Sequence, residues 1–566
     1  MKPPIHPFDR LLTFTQRSAA VVAGCVLLAG ALSANESTWS ANAAANWSTA
    51  AWSPAGVPSG AEWVVNIDRS SQSANRILTI DTTSRTVGEI HAFGANTASR
   101  SNTLAASGGA TLTLDNGSSA AQVTNAGWGN FTISAPVLLA SNLELANNPN
   151  DTLSQFLTLS GTVGAASSGL KTITTMASAV APSDPNFHRI VFSGSITDGA
   201  GQVAVVHNSG NNLNIQTRTN TFSGGLNINS GSVVVSGDGS GSYGDGALGA
   251  ANAAVTFNGG ALSFSSADAA ITISQRLTTL NAGGGTLSAT STSGVVTWNG
   301  NVVGTGALTK SGGGTVILAG ASNTYQGGTT ISAGTLVAAS NSALGTGAVA
   351  ATAGTLSLND GVTLTNNVTL GATGVLRATS GTATYGGTVG GTGKLGGADS
   401  VLHLSSTAIL APGNSPGLMT IDGAVTLDSG STFQWDLASL VAGDVGVAGT
   451  DFDQLVVSST GALTIASGAN LAFSFGAGVS PTAGDLFWSS NHAWTVVYNT
   501  AGGSVTGSAF TIDNSAWASL GAFDTSLVDG SVVLSWSAVA IPEPSTYAAI
   551  FGALALVGVL VARRRR

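Results

Sequence analysis

Along almost the whole chain, apolar residues come in short alternating runs separated by glycine, asparagine and serine. Val64-Val-Asn-Ile67, Ile77-Leu-Thr-Ile80, Thr111-Leu-Thr-Leu114, Phe131-Thr-Ile133, Phe156-Leu-Thr-Leu159 and Ile190-Val-Phe192 represent the pattern. A period of two over so few residues is that of a strand with one buried face, and no stretch between the two ends sustains a helical period. The fold class read from this is all-β. A slower beat organises the strands. Gly-x-Leu recurs at Gly260, Gly285, Gly306, Gly334, Gly354, Gly374 and Gly393, with steps of 25, 21, 28, 20, 20 and 19. Steps near 20 fit one coil of a β-solenoid, a few short strands joined by tight turns. The pattern predicts an elongated parallel β-helix (β-solenoid) with terminal β caps. Glycine takes a φ > 0 corner, the following Leu or Val points inward, and Ser, Thr and Asn stand outside. At roughly 22 residues per coil and about 4.8 Å between coils, some 500 residues would make a rod of about 100 Å. A β-sandwich, or a string of them, is the competing architecture; the persistent beat and the lack of long strands favour the solenoid.

Two longer copies sit on this beat. Asn220-Thr-Phe-Ser-Gly-Gly-Leu-Asn-Ile-Asn-Ser-Gly-Ser-Val233 aligns with Asn323-Thr-Tyr-Gln-Gly-Gly-Thr-Thr-Ile-Ser-Ala-Gly-Thr-Leu336, and each copy then reaches Ala-Leu-Gly, at Ala247 to Gly249 and Ala343 to Gly345. The unit resembles the autotransporter-associated β-strand repeat, also called the passenger-associated transport repeat. Farther on, Ile409-Leu-Ala-Pro-Gly-Asn-Ser-Pro-Gly-Leu418 and Asp451-Phe-Asp-Gln-Leu-Val-Val457 resemble the distal stretch of autotransporter-type passengers. The resemblance implies an exported, passenger-like body. An autotransporter would end in a barrel of amphipathic strands, whereas only 26 residues follow Ala540, so export is expected to use other machinery.

Both ends read as targeting segments. Lys2, Arg10 and Arg17 lead an apolar stretch from Ser18 to Leu32, and Ala31-Leu32-Ser33 offers small residues to a signal peptidase, with the cut placed at Ser33. Val22-Ala-Gly-Cys25 offers a lipoprotein box instead, but Val26 to Leu32 stays apolar where a lipidated cysteine normally opens a polar linker. At the other end stand Pro542-Glu543-Pro544, an uncharged stretch from Tyr547 to Ala562, and Arg563, Arg564, Arg565 and Arg566. Two prolines around a carboxylate make an extended, accessible hinge. Sixteen residues give about 24 Å of helix, short of the ~30 Å hydrocarbon core. The arginines would hold the terminus on the cytoplasmic side. This order resembles the PEP-CTERM sorting tail of Gram-negative bacteria. That resemblance implies recognition by an exosortase-type membrane protease, with the precursor held in the inner membrane by a C-terminal transmembrane helix. A plain single-span anchor is the alternative. The chain divides into a signal peptide (1–33), an N-terminal solenoid region with a Trp-rich cap (34–197), the repeats (198–400), distal coils and a cap (401–540) and the tail (541–566).

Composition narrows the chemistry. Of 566 residues only 8% are charged. Between Ala34 and Ala540, 25 acidic residues face three lysines and eight arginines; so acidic a body has no phosphate-tracking stripe and excludes nucleic acid as a partner. If Ser33 is the cut, the mature chain has no cysteine and no disulfide. Trp39, Trp47, Trp52 and Trp63 cap an open strand edge or form a sugar-stacking platform. The histidines, His6, His91, His188, His207, His403 and His492, have no Cys, Asp or Glu at metal-ligand spacing. No catalytic set, cofactor site or metal site is assigned. Asp451 and Asp453 alternate onto one strand face and form a candidate carboxylate pair or weak Ca²⁺ site, with solvated turn residues as the plainer reading. Gly237 to Gly246 lacks the period of a calcium repeat and reads as an insertion loop. The chain therefore reads as a non-enzymatic surface or matrix protein for adhesion or biofilm structure, with extracellular polysaccharide a candidate partner. The alternative is a β-helix enzyme or binding protein acting on extracellular polysaccharide.

Overall fold

The computed structural model describes residues 35–94, 100–127, 129–148, 155–177, 188–236, 245–265, 270–413, 416–441, 446–539 and 544–564. The chain forms two compact units, one of residues 1–316 with 322–327 and the other of 317–321 with 328–566.

In the first unit the chain winds through parallel sheets, laying each strand beside the one a coil earlier. One face runs from Glu36–Trp39 through Val64–Asp68, Glu89–Phe93, Ala121–Ala126 and Leu143–Asn148 and on to Val302–Gly304. A second includes Arg76–Ile80, Asn102–Ala106, Phe131–Ile133 and Leu157–Leu159. A third stacks Arg85–Val87, Leu112–Leu114, Val137–Leu139, Val163–Ala165 and Ile196–Gly199. Because the pairing is in register, one inward position stacks on the same position of the next coil. Val65, Ile90, Val123 and Leu145 form such a row, and all four are wholly buried. This is the parallel β-helix that the alternating runs predict.

The second unit repeats the plan with more regular coils. Thr335, Thr355, Val375 and Lys394 share an outer row, at steps of 20, 20 and 19. Beside them Leu336, Leu356, Leu376, Leu395, Ile421 and Val457 form a wholly buried inner row. Every leucine of the seven Gly-x-Leu triplets is buried. The expected reason for the glycines needs correction. Of those seven, Gly334 alone has positive φ (64°). The others are required by close approach: a Cβ at Gly306 would collide with the Asn281 carbonyl, one at Gly374 with the Ala351 carbonyl and one at Gly354 with the Ile331 side chain. Coils stacked this closely leave no space for a side chain at those corners.

Each unit ends its ladder in tryptophan. In the first, Glu36–Trp39 is covered by the antiparallel Trp52–Ser53. Trp47 and Trp52 pack with ring centroids 5.0 Å apart, donating to the Pro58 and Trp47 carbonyls at 2.9 Å each. Trp39, Trp47 and Trp52 are buried, so their rings present no stacking platform. In the second, the antiparallel hairpin Gly521–Val528 with Ser531–Ala538 closes the last sheet. Beneath it Trp435, Trp488, Trp494, Trp536, Phe473 and Phe523 form one aromatic cluster, with centroids as close as 4.3 Å. The chain then enters the helix Pro544–Arg563. Among the described residues, no helix is long and apolar enough to cross a membrane.

Leu336 lies in the inner row with no exposed surface. Leu336→Ala should cost about 2–5 kcal/mol, and because a solenoid coil is held chiefly by its neighbours, hydrogen exchange should quicken first in Thr335–Ala338 and its ladder partner Thr355–Leu358. Unchanged protection of those strands would contradict the inward assignment.

Candidate functional site

The repeat copies are one structural module used twice. Asn220 and Asn323 are both buried. The Asn220 Oδ1 accepts the Ile196 N–H at 2.8 Å, and the Asn323 Oδ1 accepts the Val302 N–H at 2.7 Å. The next residue closes the bridge each time: Thr221 donates its N–H to the Ile196 carbonyl and Thr324 to the Val302 carbonyl, both at 2.9 Å. Phe222 and Tyr325 are wholly buried, as are Ile228 and Ile331, and Val233 and Leu336. Gly231 and Gly334 take matching positive φ, 59° and 64°. Recurrence of residues here is recurrence of roles.

Sequence reasoning placed asparagine outside the stack and missed a wider use of it. The Oδ1 of Asn42, Asn75, Asn142, Asn301, Asn341 and Asn367 accepts a backbone N–H one coil later, from Ser73, Ser101, Thr172, Ser322, Thr363 and Thr388, at 2.9–3.1 Å. At a corner the backbone ladder is interrupted, and a side-chain amide continues it. Buried amides do similar work inside the first unit: the Asn125 Nδ2 donates to the Asn147 Oδ1 at 2.9 Å, and the Asn147 Nδ2 to the carbonyls of Gln155 and Arg189. The signal that could have found the corner set was asparagine recurring at coil-length intervals, but uneven coils hide it.

The outer side of the first face collects the most chemistry. Glu36, Val64, Glu89, Gln122 and Glu144 follow one another in register, and Thr38, Asn66, His91 and Thr124 form the adjacent row. The Glu36 Oε1 accepts from the Asn66 Nδ2 at 2.6 Å, and the Glu144 Oε2 from the Gln122 Nε2 at 3.3 Å. His91 bridges Thr124 Oγ1 (2.8 Å to Nδ1) and Glu89 Oε2 (2.9 Å to Nε2). The hydrogen bond from His91, followed by weaker help from Asn116, holds the Glu89 carboxyl below its usual range. A hydroxyl, an imidazole and a carboxylate in line resemble a nucleophile–base–orienter set, carried on strands paired in the parallel ladder. What the face offers is a flat, half-exposed array of carboxylates, amides and hydroxyls.

The residues singled out beforehand fare differently. Asp451 and Asp453 do not form a pair. Asp451 caps a loop, accepting from the Ser439 hydroxyl and, at 2.7 Å, from the Val447 N–H. Asp453 is wholly buried; its carboxylate accepts the N–H of Gly417 at 2.7 Å and of Asp436 at 3.2 Å. Burial, with a contribution from the nearby Asp436 carboxylate, pushes Asp453 up to about 7. Of the histidines, His403 meets Asp428 at 2.9 Å and His207 is buried against Thr175 Oγ1 at 2.7 Å, where desolvation lowers it to about 4. Among the described residues, no three His, Cys, Asp or Glu side chains gather to hold a metal. Ser33, Pro542, Glu543, Arg565 and Arg566, and the loop 237–244, lie outside the described residues. Pro544 opens the terminal helix and Arg563 closes it, while the Arg564 N–H reaches the Leu560 carbonyl at 3.2 Å.

Comparison with known proteins points the same way as the module. The passenger-associated-transport-repeat family matches residues 212–235 and 308–338, which take in most of both copies. A 67-residue segment is 45% identical to part of the Adhesin BmaC autotransporter of Brucella suis biovar 1 (strain 1330). It amounts to 12% of this chain and 2% of that adhesin, so the likeness covers a small fraction of the relative's length. This chain therefore carries autotransporter-passenger repeats on an all-β, parallel-stranded body.

Asp453 makes the fold sensitive to pH in an unusual direction. Its proton is held more tightly in the folded chain, with a pKa of about 7, than in an unfolded one at about 3.9. The stability it contributes is therefore complete below about pH 4 and lost as pH rises through 7. The unfolding free energy from urea titrations should fall between pH 5 and 8 by on the order of 2–3 kcal/mol, and Asp453→Asn should flatten the slope. An identical slope in the variant would assign the titration to another group.

Proposed function

We propose that this protein is an exported, non-enzymatic surface or matrix adhesin, carried on a passenger-type β-solenoid and displayed outside a Gram-negative cell. The repeat module carries the reading: Asn220 and Asn323 each bridge to the preceding coil in the same way, within segments similar to the passenger repeat. A solenoid suits this task physically. Each coil needs only its neighbours for stability, and its outward residues are free to vary. The outer ladder of Glu36, Glu89, His91, Thr124 and Glu144 is the contact surface we assign, with a neutral or cationic polysaccharide as its partner class.

Display would depend on the tail. In this reading an exosortase-type protease recognises Pro542, Glu543 and Pro544, while the helix Pro544–Arg563 holds the precursor in the inner membrane. The described apolar side chains of that helix, from Phe551 to Val561, are exposed. The arginines from Arg563 to Arg566 keep the end cytoplasmic.

Two variants separate this reading from a plain anchor. Glu543→Ala should leave full-length precursor in the inner membrane of a host with the protease, whereas replacing the four arginines by serine should misorient the tail. Immunoblots of membrane, surface and medium fractions read both. Equal mature mass in wild type and Glu543→Ala would retire the sorting tail. Reproducible depolymerisation of an acidic or neutral polysaccharide by the purified protein would overturn the non-enzymatic reading.

A further inference from the structure

The caps draw aromatic rings away from solvent, and one ring is left out. Among the described residues outside the terminal helix, Tyr498 is the one exposed aromatic side chain, with 49% of its surface open. It stands on His492–Asn499, in the sheet of the second unit that also holds Lys394–Leu395, Leu418–Ile421 and Gln454–Val457. In-register pairing makes it the end of a straight row: Lys394 lies beside Thr420, Thr420 beside Val456 and Val456 beside Tyr498. The next residues on the first three strands, Leu395, Ile421 and Val457, are wholly buried, so by alternation the row faces outward. Three strand spacings make it about 14 Å long.

The opposite end of the row is polar and already organised. The half-exposed Lys394 sets its ammonium 3.0 Å from the Asp422 Oδ2. The Asp422 Oδ1 accepts from the Thr460 hydroxyl at 2.6 Å and from the Ser458 hydroxyl at 2.8 Å. The Thr460, Lys394 and Ser458 bonds together hold the carboxyl down at about 2, so it is ionised at neutral pH. Side chains from successive coils thus fix one another before any partner arrives, which lowers the entropy cost of binding. Arg377 lies two positions beyond Val375, the ladder neighbour of Lys394. Its Nε is turned to the Ser357 Oγ at 3.1 Å. This end therefore offers a paired ammonium and carboxylate.

A ring at one end and fixed donors and acceptors at the other suit a ligand that carries C–H faces and hydroxyls on the same residue. The electron-rich face of an aromatic ring attracts C–H edges. A paired ammonium and carboxylate can donate to hydroxyls and accept from them without requiring a charge in return. A protein partner would need a contiguous apolar core, whereas the exposed apolar side chains on these strands are Leu418 and Tyr498. An acidic polymer would meet a lysine already paired with a carboxylate. We propose that this outer row binds an uncharged polysaccharide lying along the ladder, with one sugar ring on Tyr498 and hydroxyls at Lys394 and Asp422. The site rests on the adhesin reading for its class of partner, and it is separate from Glu36, Glu89 and Glu144 because it belongs to the second unit.

Each end of the row can report on the other. In the full-length protein, nitration of Tyr498 and acetylation of Lys394, both read by mass spectrometry, should be slowed saturably by cellotetraose, laminaritetraose or maltotetraose. Both ends should be protected with the same midpoint, and tetragalacturonate should protect them less. Tyr498→Ala should raise the midpoint for Lys394 protection about tenfold, while Tyr498→Phe, which keeps the ring, should stay within about twofold. Lys394→Met leaves Asp422 its two hydroxyl partners and should raise the midpoint for Tyr498 protection several-fold. Tyr498 and Lys394 are both open to solvent, so these variants should keep the circular dichroism of the wild type. Sugar bound with Tyr498 and Lys394 as reactive as before would overturn this site and leave the adhesin reading standing. Stronger protection by tetragalacturonate, or equal losses in Tyr498→Ala and Tyr498→Phe, would overturn it as well.

Discussion

An in-register parallel ladder allows each coil no choice about which residues face in. Because side chains alternate along a strand, a slip of one residue would carry an entire apolar row into water. The row Leu336, Leu356, Leu376, Leu395, Ile421, Val457 is held to this rule although the chain between its members varies in length. Variation is absorbed at the corners. Leu418 pairs with Gln454 across 36 residues where earlier coils need about 20, and the excess is the loop that Asp451 and Asp453 secure. Polar chemistry thus concentrates where the coil departs from its minimum length.

The same ladder leaves an open edge wherever it stops, and an open edge invites pairing with another chain. The first unit covers Glu36–Trp39 with an antiparallel piece of its own chain. The second uses a side chain. Gly521–Val528 is a terminal strand, and the Asn514 amide meets the outward backbone of Phe523 from both sides, accepting its N–H at 2.7 Å and donating to its carbonyl at 2.9 Å. Asp524 accepts the Thr525 N–H at 2.9 Å. One asparagine imitates the strand that would otherwise add there.

Much of this was legible in the sequence, and the part that was not has a physical cause. Alternation and the glycine beat revealed the strands, the inward leucines and the repeated module, because each is a local signal within a few residues. Contacts between coils are not local. Thr124 reaches His91 from the next coil, 33 residues on, and nothing in their spacing announces it, since neighbouring coils of the first unit differ by several residues. The glycines were found for the wrong reason: their position was visible, while the carbonyl of the adjacent coil that forbids a Cβ was not. Asp451 and Asp453 looked like a pair because alternation alone puts them on one face; a loop cap and a buried carboxyl are what the distal coil makes of them.

The placement of charge sharpens what the outer faces can bind. Lys310, Arg69, Arg76 and Arg276 are all buried, four of the eleven basic residues between Ala34 and Ala540. Lys310 turns its ammonium to the Ser311 and Gly312 carbonyls at 2.8 Å each, and Arg276 donates to the Leu248 and Ala253 carbonyls at 3.0 and 2.9 Å. Corner carbonyls consume cations that would otherwise offset the carboxylates outside. The solvent-facing surface is therefore more acidic than the composition of the chain implies, with Glu36, Glu89 and Glu144 on one face. Screening shortens such a field to about 10 Å at moderate salt, a little over two coils, so it acts on a ligand lying along the ladder more than on one approaching from a distance. A uronic-acid polymer is repelled at that range; a neutral or amino-sugar chain is not. Burying the bases thus satisfies the corners and, by the same act, leaves the outer faces acidic.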